Sequence, residues 1–423
     1  MSGTWILLLL TFCYSDKNII SCYQCFIKII LRKSTDNTCA WEQRKFSDLV
    51  LIERGGSPRP IDDYITDAPD GLNWVKIGDA PEQGRYINKT AEKIKPEGLS
   101  KTRQVQPGDL ILSNSMSFGK PYIMGINGCI HDGWLLIRDI KSRFDLKFLC
   151  HMLGTDQMLN QYRMFAAGST VNNLNKELVG STMVSLPSIE EQRVIGEYLE
   201  SIDNLITLHQ RKYDKLVAIK RSMLEKMFPR EGSRFPEIRF AGFTDPWEQR
   251  KLSEVVGVYD GVHQTPHYTD SGIMFLSVEN IATLTSQKFI SEEAFERDYR
   301  VYPQKGDVLM TRIGDVGTPN VVETSEKLAF YVSLALLKPI EIDSYFLCNA
   351  IQSPRFKKGL KDRTLVTAIP QKINKDEIGK VDILMPESAS EQAQIGTYFH
   401  QLDTLITLHQ CKPKSRKGGS HKR

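Results

Sequence analysis

The sequence predicts an α+β protein in which two similar mixed domains alternate with two long helices. Two observations lead to this prediction. Residues 190–228 carry apolar side chains at alternating steps of four and three, which is a heptad pattern. Part of this stretch then recurs: EQRVIGEYLESIDNLITLHQ at 191–210 and EQAQIGTYFHQLDTLITLHQ at 391–410 are identical at twelve of twenty positions. The chain therefore carries one design twice.

The first long helix is predicted to be a spacer with one apolar seam. Its seam positions are Ile195, Leu199, Ile202, Ile206, His209, Tyr213, Leu216, Lys220, Met223 and Met227. At 1.5 Å per residue it would span on the order of 55–60 Å, which is too long for one compact domain. Such a seam requires a partner helix.

The second copy of the helix repeats the seam and then stops. Its apolar stripe consists of Ile395, Phe399, Leu402 and Ile406. Pro413 falls on a seam position, and proline inside a helix costs about 3 kcal/mol or more. We therefore expect this helix to end near Gln410, leaving a basic tail.

Composition limits the class of protein. A chain of 423 residues is long enough for two or three domains, and 25% charged and 41% hydrophobic residues are ordinary for a globular protein. The net charge of +4 permits a nucleic-acid partner without requiring one. Charges interrupt both seams at every turn, which excludes membrane spans, and the scattered cysteines favour reduced thiols in the cytoplasm.

Residues 1–39 do not match the rest of the chain. They contain a CxxC at Cys22 and Cys25, but no second pair follows at zinc-ligand spacing, so no metal site is predicted. Three interpretations stay open: a secretion signal, an apolar arm that packs on the body, or residues foreign to the repeated design. The third is favoured because the repeated register starts at Trp41.

The repeats divide the chain into segments. They are the N-terminal segment 1–39, a first mixed domain 40–185, the central spacer helix 186–229, a linker 230–246, a second mixed domain 247–385, and the shorter second helix with its tail 386–423. In the linker, Phe235, Ile238 and Phe240 are expected to pack onto a neighbouring surface.

Each mixed domain is predicted to follow the same local pattern. The WEQRK segments at 41 and 247 are predicted to open each domain as a short helix and turn. Later in each domain a helix is predicted, at 145–163 and at 344–360. A turn is predicted at 126–129, and β-branched or aromatic runs predict strands at 74–77, 110–112, 134–137, 273–278 and 308–311.

Motifs for catalysis are missing. The sequence has no GxxxxGK[ST], no GxGxxG after a strand, and no Asn/Asp-Pro-Pro-aromatic tetrapeptide of the kind used by amino-methyltransferases. His263 and His267 lie four residues apart in a proline-containing turn, where they would not share a helix face. His209 and His409 occupy equivalent seam positions, which is typical of register-setting polar residues.

Four segments carry a resemblance to a known family. They are FPEIRFAGFTDPWEQRKL at 235–252, LPSIEEQRVIGEYLESIDNLI at 186–206, MPESASEQAQIGTYFHQLDTLI at 385–406 and KGDVLMTRIGDVGTPN at 305–320. Together with their order and repetition, over roughly residues 40–410, they resemble the DNA-specificity subunit of type I restriction–modification systems.

The resemblance implies a fold and a function. Each mixed domain would be a target recognition domain that reads one half of a split double-stranded DNA target. The helices would pair as an antiparallel coiled coil within a pseudo-twofold repeat, set the gap between the half-sites and dock methyltransferase subunits. The chain would be no enzyme and bind no cofactor. Two methyltransferase subunits would supply S-adenosylmethionine and methylate adenine N6, and two restriction subunits that use ATP and Mg would join them.

The same resemblance selects candidate DNA contacts on four loops, at 113–122, 168–173, 311–320 and 364–372. Arg312 is a candidate for guanine or phosphate, and Asn114, Asn172 and Gln371 are candidates for adenine. The remaining candidates are Ser113, Lys120, Thr318 and the basic cluster of Lys357, Lys358, Lys361 and Arg363. The alternative for each is a solvated turn residue or a solvated helix end.

Other functions stay open at this point. One is an enzyme in its own right, a nuclease or a methyltransferase. Another is a structural coiled-coil adaptor with no DNA role. The third is a truncated or inactive specificity subunit, because the second helix lacks the distal half seen in the first copy, and the lead-in before Trp247 has no counterpart before Trp41.

Overall fold

The computed structural model describes residues 41–114, 118–166 and 174–410. The chain divides into two compact units, residues 1–207 (unit 1) and residues 208–423 (unit 2). The division falls inside the segment that the heptad pattern predicts as the central spacer helix.

Unit 1 consists of short strands followed by helices. Its described strands are β1 (Glu42–Lys45), β2 (Leu51–Arg54), β3 (Leu72–Val75), β4 (Tyr86–Ile87), β5 (Glu92–Ile94), β6 (Arg103–Val105), β7 (Leu110–Ser113), β8 (Pro121–Met124), β9 (Gly128–Ile130), β10 (Trp134–Arg138) and β11 (Met183–Leu186). Its helices are α1 (Leu146–Leu153), α2 (Asp156–Ala166), α3 (Lys176–Gly180) and the first part of α4 (Ile189–Lys226), the central helix. The strands form sheets in the orders β2-β10-β7-β8-β4, β5-β3-β9-β6 and β1-β11.

Strand β10 is the second strand of the five-stranded sheet of unit 1 and is buried on both faces. It pairs antiparallel with β2 and with β7. Leu135 and Ile137 pack into the core formed with helices α1 to α3. Trp134 and Leu136 pack into a second core on the opposite face. A strand covered on both sides needs a continuous apolar run, which explains the sequence WLLI.

Unit 2 follows a similar order of elements, with fewer strands and with short helices among them. Its described strands are β12 (Glu248–Lys251), β13 (Val256–Asp260), β14 (Ile273–Leu276), β15 (Phe289–Ile290), β16 (Val308–Thr311), β17 (Pro319–Val321), β18 (Leu328–Phe330), β19 (Leu334–Pro339) and β20 (Asp382–Met385). Its helices are the rest of the central helix, α5 (Leu252–Val255), α6 (Glu292–Asp298), α7 (Ser344–Gln352), α8 (Pro354–Arg363), α9 (Lys375–Gly379) and α10 (Ala389–His409), the C-terminal helix. The sheets have the orders β13-β19-β16-β17, β15-β14-β18 and β12-β20.

Strand β19 takes the place in unit 2 that β10 takes in unit 1. It pairs antiparallel with β13 and β16. Ala335 and Leu337 pack into the core that also holds the helices, while Leu334 and Leu336 pack into the core on the opposite face. The internal repeat seen in the sequence therefore extends to the packing of the core inside each unit.

The repeated segments at the start of the two long helices are attached to units 1 and 2, respectively, by the same contacts. In unit 1, Gln192 Oε1 accepts a hydrogen bond from the backbone N–H of Asp145 at 3.0 Å. A Cβ at Gly196 would lie 2.6 Å from Asp145 Oδ1, so glycine permits this close approach. In unit 2, Gln392 Oε1 accepts from the backbone N–H of Asp343 at 2.9 Å.

The two predicted long helices are confirmed. The helix expected at 190–228 is Ile189–Lys226, with 38 residues. The second ends at His409, next to the expected Gln410. Pro413, on which that expectation rested, lies outside the described residues. Within the described ranges, no helix combines the length and apolar composition that a membrane span requires.

Most predicted strands are present, with shifted ends in two cases. The runs at 110–112, 134–137 and 308–311 are β7, β10 and β16, and those at 74–77 and 273–278 correspond to β3 and β14, which end earlier.

Two predicted helices were too long, because each is broken in the middle. The helix expected at 145–163 is the pair α1 and α2, and Gly154 ends the first of them. The helix expected at 344–360 is the pair α7 and α8. Ser353 Oγ accepts a hydrogen bond from the N–H of Phe356 and caps α8, with Pro354 in its first turn. Serine at the cap and proline just after it start a new helix.

The short helix predicted to open each domain is present but begins after WEQRK, at Phe46–Asp48 in unit 1 and as α5 in unit 2. The WEQRK segments themselves are β1 and β12, in which Glu42 faces Leu186 on β11 and Glu248 faces Met385 on β20. The turn predicted at 126–129 is likewise partly strand, because β9 pairs with β3 and β6. Pairing with distant segments decides these conformations, and local patterns do not record it.

Candidate nucleic-acid interface

The loop between β16 and β17 of unit 2 is held by hydrogen bonds to its first residue. The N–H of Gly317 donates to Thr311 O at 2.9 Å, and the N–H of Thr318 donates to Thr311 Oγ1 at 2.9 Å. Gly314 and Gly317 have φ values of 81° and 95°, which glycine adopts without strain. Thr318 Oγ1 donates to Asp315 Oδ2 at 2.6 Å, so the hydroxyl of this predicted DNA contact is already bonded within the loop.

Residues 364–372 are bonded to this hairpin loop, so two of the predicted loops form one surface. The N–H of Gly314 donates to Gln371 O at 2.9 Å, and Gln371 Nε2 donates to Gly314 O at 3.0 Å. The N–H of Ile373 donates to Arg312 O at 3.0 Å. We call residues 311–320 and 364–372 together the loop platform.

Arg312 holds the loop platform together from inside. It is 6% exposed, forms an ion pair with Asp260, and donates from Nε to Ile373 O at 3.1 Å. Burial lowers the pKa of its guanidinium. This geometry contradicts the predicted contact with guanine or phosphate, because the guanidinium is bonded within unit 2. Its partner Asp260 was not singled out by the sequence pattern.

Asn114 takes the corresponding place in unit 1. Its N–H donates to Gly133 O at 2.9 Å, and its carbonyl oxygen accepts from the N–H of Leu174 at 3.0 Å. The side chain is 4% exposed and donates from Nδ2 to Asp132 O at 2.8 Å. Asn114 therefore anchors the loop, as Arg312 does in unit 2, and the predicted contact with adenine is contradicted by its burial.

The other predicted contacts of unit 1 differ in their surroundings. Ser113 is fully buried, and its Oγ accepts the N–H of Lys120 at 2.9 Å, so it shapes the loop and does not face outward. Lys120 is half-buried, with Nζ 3.4 Å from Glu82 O and 5.1 Å from the ring centroid of Tyr122. Asn172 lies outside the described residues. A DNA contact by Lys120 stays a prediction.

The predicted basic cluster lies on helix α8. Lys358 forms an exposed ion pair with Glu231 at 2.7 Å, and this hydrogen bond raises the pKa of Lys358. Arg363 donates to a carbonyl oxygen of its own helix at 3.2 Å. The side chains of Lys357 and Lys361 are exposed and have no partner among the described residues. These two ammonium groups are the ones most available to phosphates.

Gln371 is exposed on the loop platform. Its Nε2 donates one hydrogen bond to Gly314 O. The amide carries a second N–H and an oxygen, which are the groups that a bidentate contact with adenine uses. The contact with adenine stays a prediction for this residue.

The tip of the platform is apolar, which sequence reasoning did not single out. Leu365 is 46% exposed, Val366 is 66% exposed and Ile369 is 100% exposed. The signal was the sequence TLVTAIP itself, in which apolar residues interrupt a loop between two basic segments.

Within unit 2, side chains of residues 208–228 contact side chains of the C-terminal helix. The pairs are His209 with His409 (Nδ1 to Nδ1, 2.9 Å), Lys220 with Asp403 (Nζ to Oδ1, 2.6 Å) and Phe228 with Phe399 (ring centroids, 6.0 Å). The partner number falls as the chain number rises, so the two segments run in opposite directions.

The seam residues predicted for helix pairing fall into two groups. In unit 2, Leu216 packs against the core that holds Ile395, Phe399 and Leu402, Ile406 borders that core, and Tyr213 is half-buried. In unit 1, Ile195, Leu199 and Ile202 are half-buried and Ile206 is exposed. The stripe is thus covered more completely on the C-terminal helix than on the first part of the central helix.

A buried ion pair fixes the linker on the C-terminal helix, and sequence reasoning missed it. Arg239 donates from Nε and an Nη atom to the two carboxylate oxygens of Glu391 at 2.7 and 2.8 Å. Glu391 is 1% exposed and also accepts from Trp247 Nε1 at 3.3 Å. Of the linker residues expected to pack, Phe240 contacts the ring of Tyr398. The other two, Phe235 and Ile238, are exposed.

Over the part of the chain that is described, no three His, Cys, Asp or Glu side chains come together in a way that could hold a metal ion.

Comparison with known proteins agrees with this architecture. The family model for the type I restriction modification DNA specificity domain matches the chain twice, at residues 40–218 and 244–415. The type I restriction enzyme MjaVIII specificity subunit of Methanocaldococcus jannaschii is 23% identical over 384 residues, which cover 87% of each chain. The putative type I restriction enzyme MjaX specificity subunit of the same organism is 25% identical over 238 residues, half of this chain and 52% of that protein.

One solved structure has a similar fold. It is the crystal structure of the type I restriction–modification system S subunit from M. genitalium, with a TM-score of 0.55 and 15% sequence identity. The match covers 89% of this chain and 92% of that chain. At this identity the likeness concerns the fold alone.

Proposed function

The chain belongs to the family of type I restriction–modification DNA specificity subunits, with two repeated recognition domains, and from this premise we propose how it reads DNA. Each unit contacts one half of a bipartite, gapped double-stranded target. The observation that carries the proposal is the loop platform of unit 2, where the exposed loop 364–372 is hydrogen-bonded to the hairpin loop 311–320 and follows helix α8, which carries the unpaired ammonium groups of Lys357 and Lys361. Phosphate contacts of this kind position a protein, and loop side chains then read base edges.

The repeat supports two half-sites. Asn114 and Arg312 make the same pair of backbone hydrogen bonds at the base of equivalent loops. Two similar reading surfaces on one chain suit two separate contacts with one duplex, where the spacing is set by geometry. Different side chains on the two surfaces would then select different bases.

The two long helices form the spacer in this proposal. The opposite direction of the contacts between residues 208–228 and the C-terminal helix supports an antiparallel coiled coil. A continuous helix of 38 residues is about 57 Å long at 1.5 Å per residue. We assign it the role of fixing the gap between half-sites, with a pseudo-twofold arrangement of the repeated parts.

Catalysis belongs to partner subunits in this proposal. The chain is a non-catalytic component that binds no cofactor. Two methyltransferase subunits, which carry S-adenosylmethionine, dock on the helices, and two restriction subunits with ATP and Mg join them. The assembly works in the cytoplasm, where its DNA substrate is accessible.

Methylome sequencing tests the proposal. Cells expressing this chain with its cognate methyltransferase subunit are compared with cells expressing the methyltransferase subunit alone. We expect a split, gapped N6-methyladenine motif only when the chain is present. If the chain is made and co-purifies with the methyltransferase subunit but no new motif appears, the specificity role is wrong.

A further inference from the structure

The tip of the loop platform presents apolar side chains on a closed loop. The N–H of Leu365 donates to Lys372 O at 2.8 Å, and the N–H of Ala368 donates to Leu365 O at 3.3 Å. Gln371 joins the same loop to Gly314 through two hydrogen bonds. The side chains of Val366 and Ile369 are therefore held outward by a bonded backbone. A single exposed apolar residue is common on protein surfaces, but a fully exposed isoleucine with exposed apolar neighbours on a closed loop is a candidate binding surface.

The charges around the tip select the partner. Residues 354–372 contain six Lys and Arg side chains and one carboxylate, that of Asp362. Lys361 and Lys372, which flank the apolar tip in the sequence, are exposed and have no side-chain partner among the described residues. Cationic side chains around an apolar tip match a duplex, in which phosphates flank the base edges.

Base edges in the major groove carry one apolar group, the 5-methyl of thymine. We propose that Ile369, with Val366 beside it, contacts thymine methyl groups in the half-site that unit 2 reads. This inference rests on the proposed function and adds a specificity determinant to it. The polar groups of Gln371 would read a neighbouring base, while the apolar tip distinguishes thymine from cytosine.

The test uses the complex of this chain with its methyltransferase subunit and the duplex target identified by methylome sequencing. In a series of duplexes, each thymine of the second half-site, the one that unit 2 reads, is replaced in turn by uracil. This replacement removes only the methyl group. We expect uracil at one or more positions to weaken binding by about three- to fivefold, the loss that corresponds to one methyl group at about 0.8 kcal/mol.

Variants connect that effect to the tip. Ile369→Ser should weaken binding to the thymine duplex by a similar factor and should bind the thymine and uracil duplexes equally. Val366→Ala should give a smaller loss at the same position. Ile340→Ser is the matched control, because Ile340 is an isoleucine of unit 2 that is 66% exposed and lies outside the loop platform. It should leave both affinities unchanged.

The outcomes separate this inference from the proposed function. A wild-type complex that does not prefer its target over a scrambled duplex overturns both. A wild-type complex that prefers its target but binds thymine and uracil duplexes equally at every position overturns the inference alone. The inference also fails if the Ile369→Ser variant still discriminates, or if the second half-site contains no thymine on either strand. Unchanged DNA binding with loss of a protein or vesicle contact would assign the tip to a different partner.

Discussion

Two helical segments that share twelve of twenty residues are buried to very different extents. In the C-terminal helix, Glu391 is 1% exposed and Ile395 is buried, whereas at the matching positions of the central helix Glu191 is exposed and Ile195 is half-buried. The cause in unit 2 is the preceding chain, because residues 208–247 supply seam side chains, Arg239 and a buried Trp247. The same motif is therefore buried only where a segment with complementary side chains packs against it.

The openings of the two domains repeat this contrast. Trp247 is fully buried and packs edge-on against Phe228 and Phe346. Trp41, at the matching position of unit 1, is 46% exposed. The residues before Trp41 lie outside the described range. The helix seam and the opening tryptophan therefore form a single packing site, which the linker completes in unit 2.

The largest difference between the segments is expected for Phe399→Ala against Leu199→Ala. Phe399 is fully buried, so its truncation should lower the free energy of unfolding of unit 2 by about 4 kcal/mol. Leu199 is half-buried, so the matching change should cost about 1 kcal/mol. Hydrogen exchange, followed separately in peptides from 191–207 and 389–409, measures both. Equal losses of stability in the two variants would contradict the difference in burial between the two helical segments.

The second comparison removes one partner of the buried ion pair. Glu391→Gln should destabilise unit 2 by about 3 kcal/mol, because it leaves the guanidinium of Arg239 without its charge partner. Glu191→Gln is the matched control and should change stability by less than about 0.5 kcal/mol, since Glu191 is exposed. Denaturant titration of each variant measures the change. A large effect of Glu191→Gln would show that this carboxylate is also paired.

A third pair of variants tests a close glycine contact that both helical segments make. A Cβ at Gly196 or Gly396 would lie 2.6 Å from the carboxylate oxygen of Asp145 or Asp343, respectively. Alanine at either position should therefore cost about 2 kcal/mol through crowding. Thermal unfolding of the two single variants should show similar losses. A loss at one position only would mean that the helices are attached to their units by different contacts.

The smallest effect concerns pH and the histidine pair. Partial burial, and then the nearby His209 and Lys212, hold the pKa of His409 below its ordinary value. A lowered pKa in the folded state means that the fold favours neutral His409. Its contribution to stability is therefore present above a pH of about 6.5, the pKa in the unfolded chain, and is lost as pH falls. Stability measured from pH 8 to pH 5 should fall more steeply for wild type than for His409→Gln. Parallel curves would contradict this role.

The parts of the fold that depend on short-range pattern were predictable. The heptad seam and the repeated motif located both long helices, because a periodic apolar face can be recognised from the local sequence alone. The end of the second helix was predictable from Pro413 for the same reason. The strands β7, β10 and β16 were found because they are continuous apolar runs.

The parts that depend on distant pairing were not predictable. The WEQRK segments look helical alone, and they become strands because β11 and β20 pair with them. Arg312 looked like a DNA contact because arginine in a loop usually is exposed, and nothing local records its ion pair with Asp260. Ile369 is the converse case, because it is fully exposed although the sequence pattern did not single it out.

The most direct test of the spacer claim is the methylome of cells in which one heptad is inserted after Gln210. The insertion lengthens the central helix by about 10 Å, which corresponds to roughly three base pairs of duplex. We expect a gapped N6-methyladenine motif with both half-sites unchanged and a gap longer by about that amount. A changed half-site, or the original gap with full methylation, would contradict it.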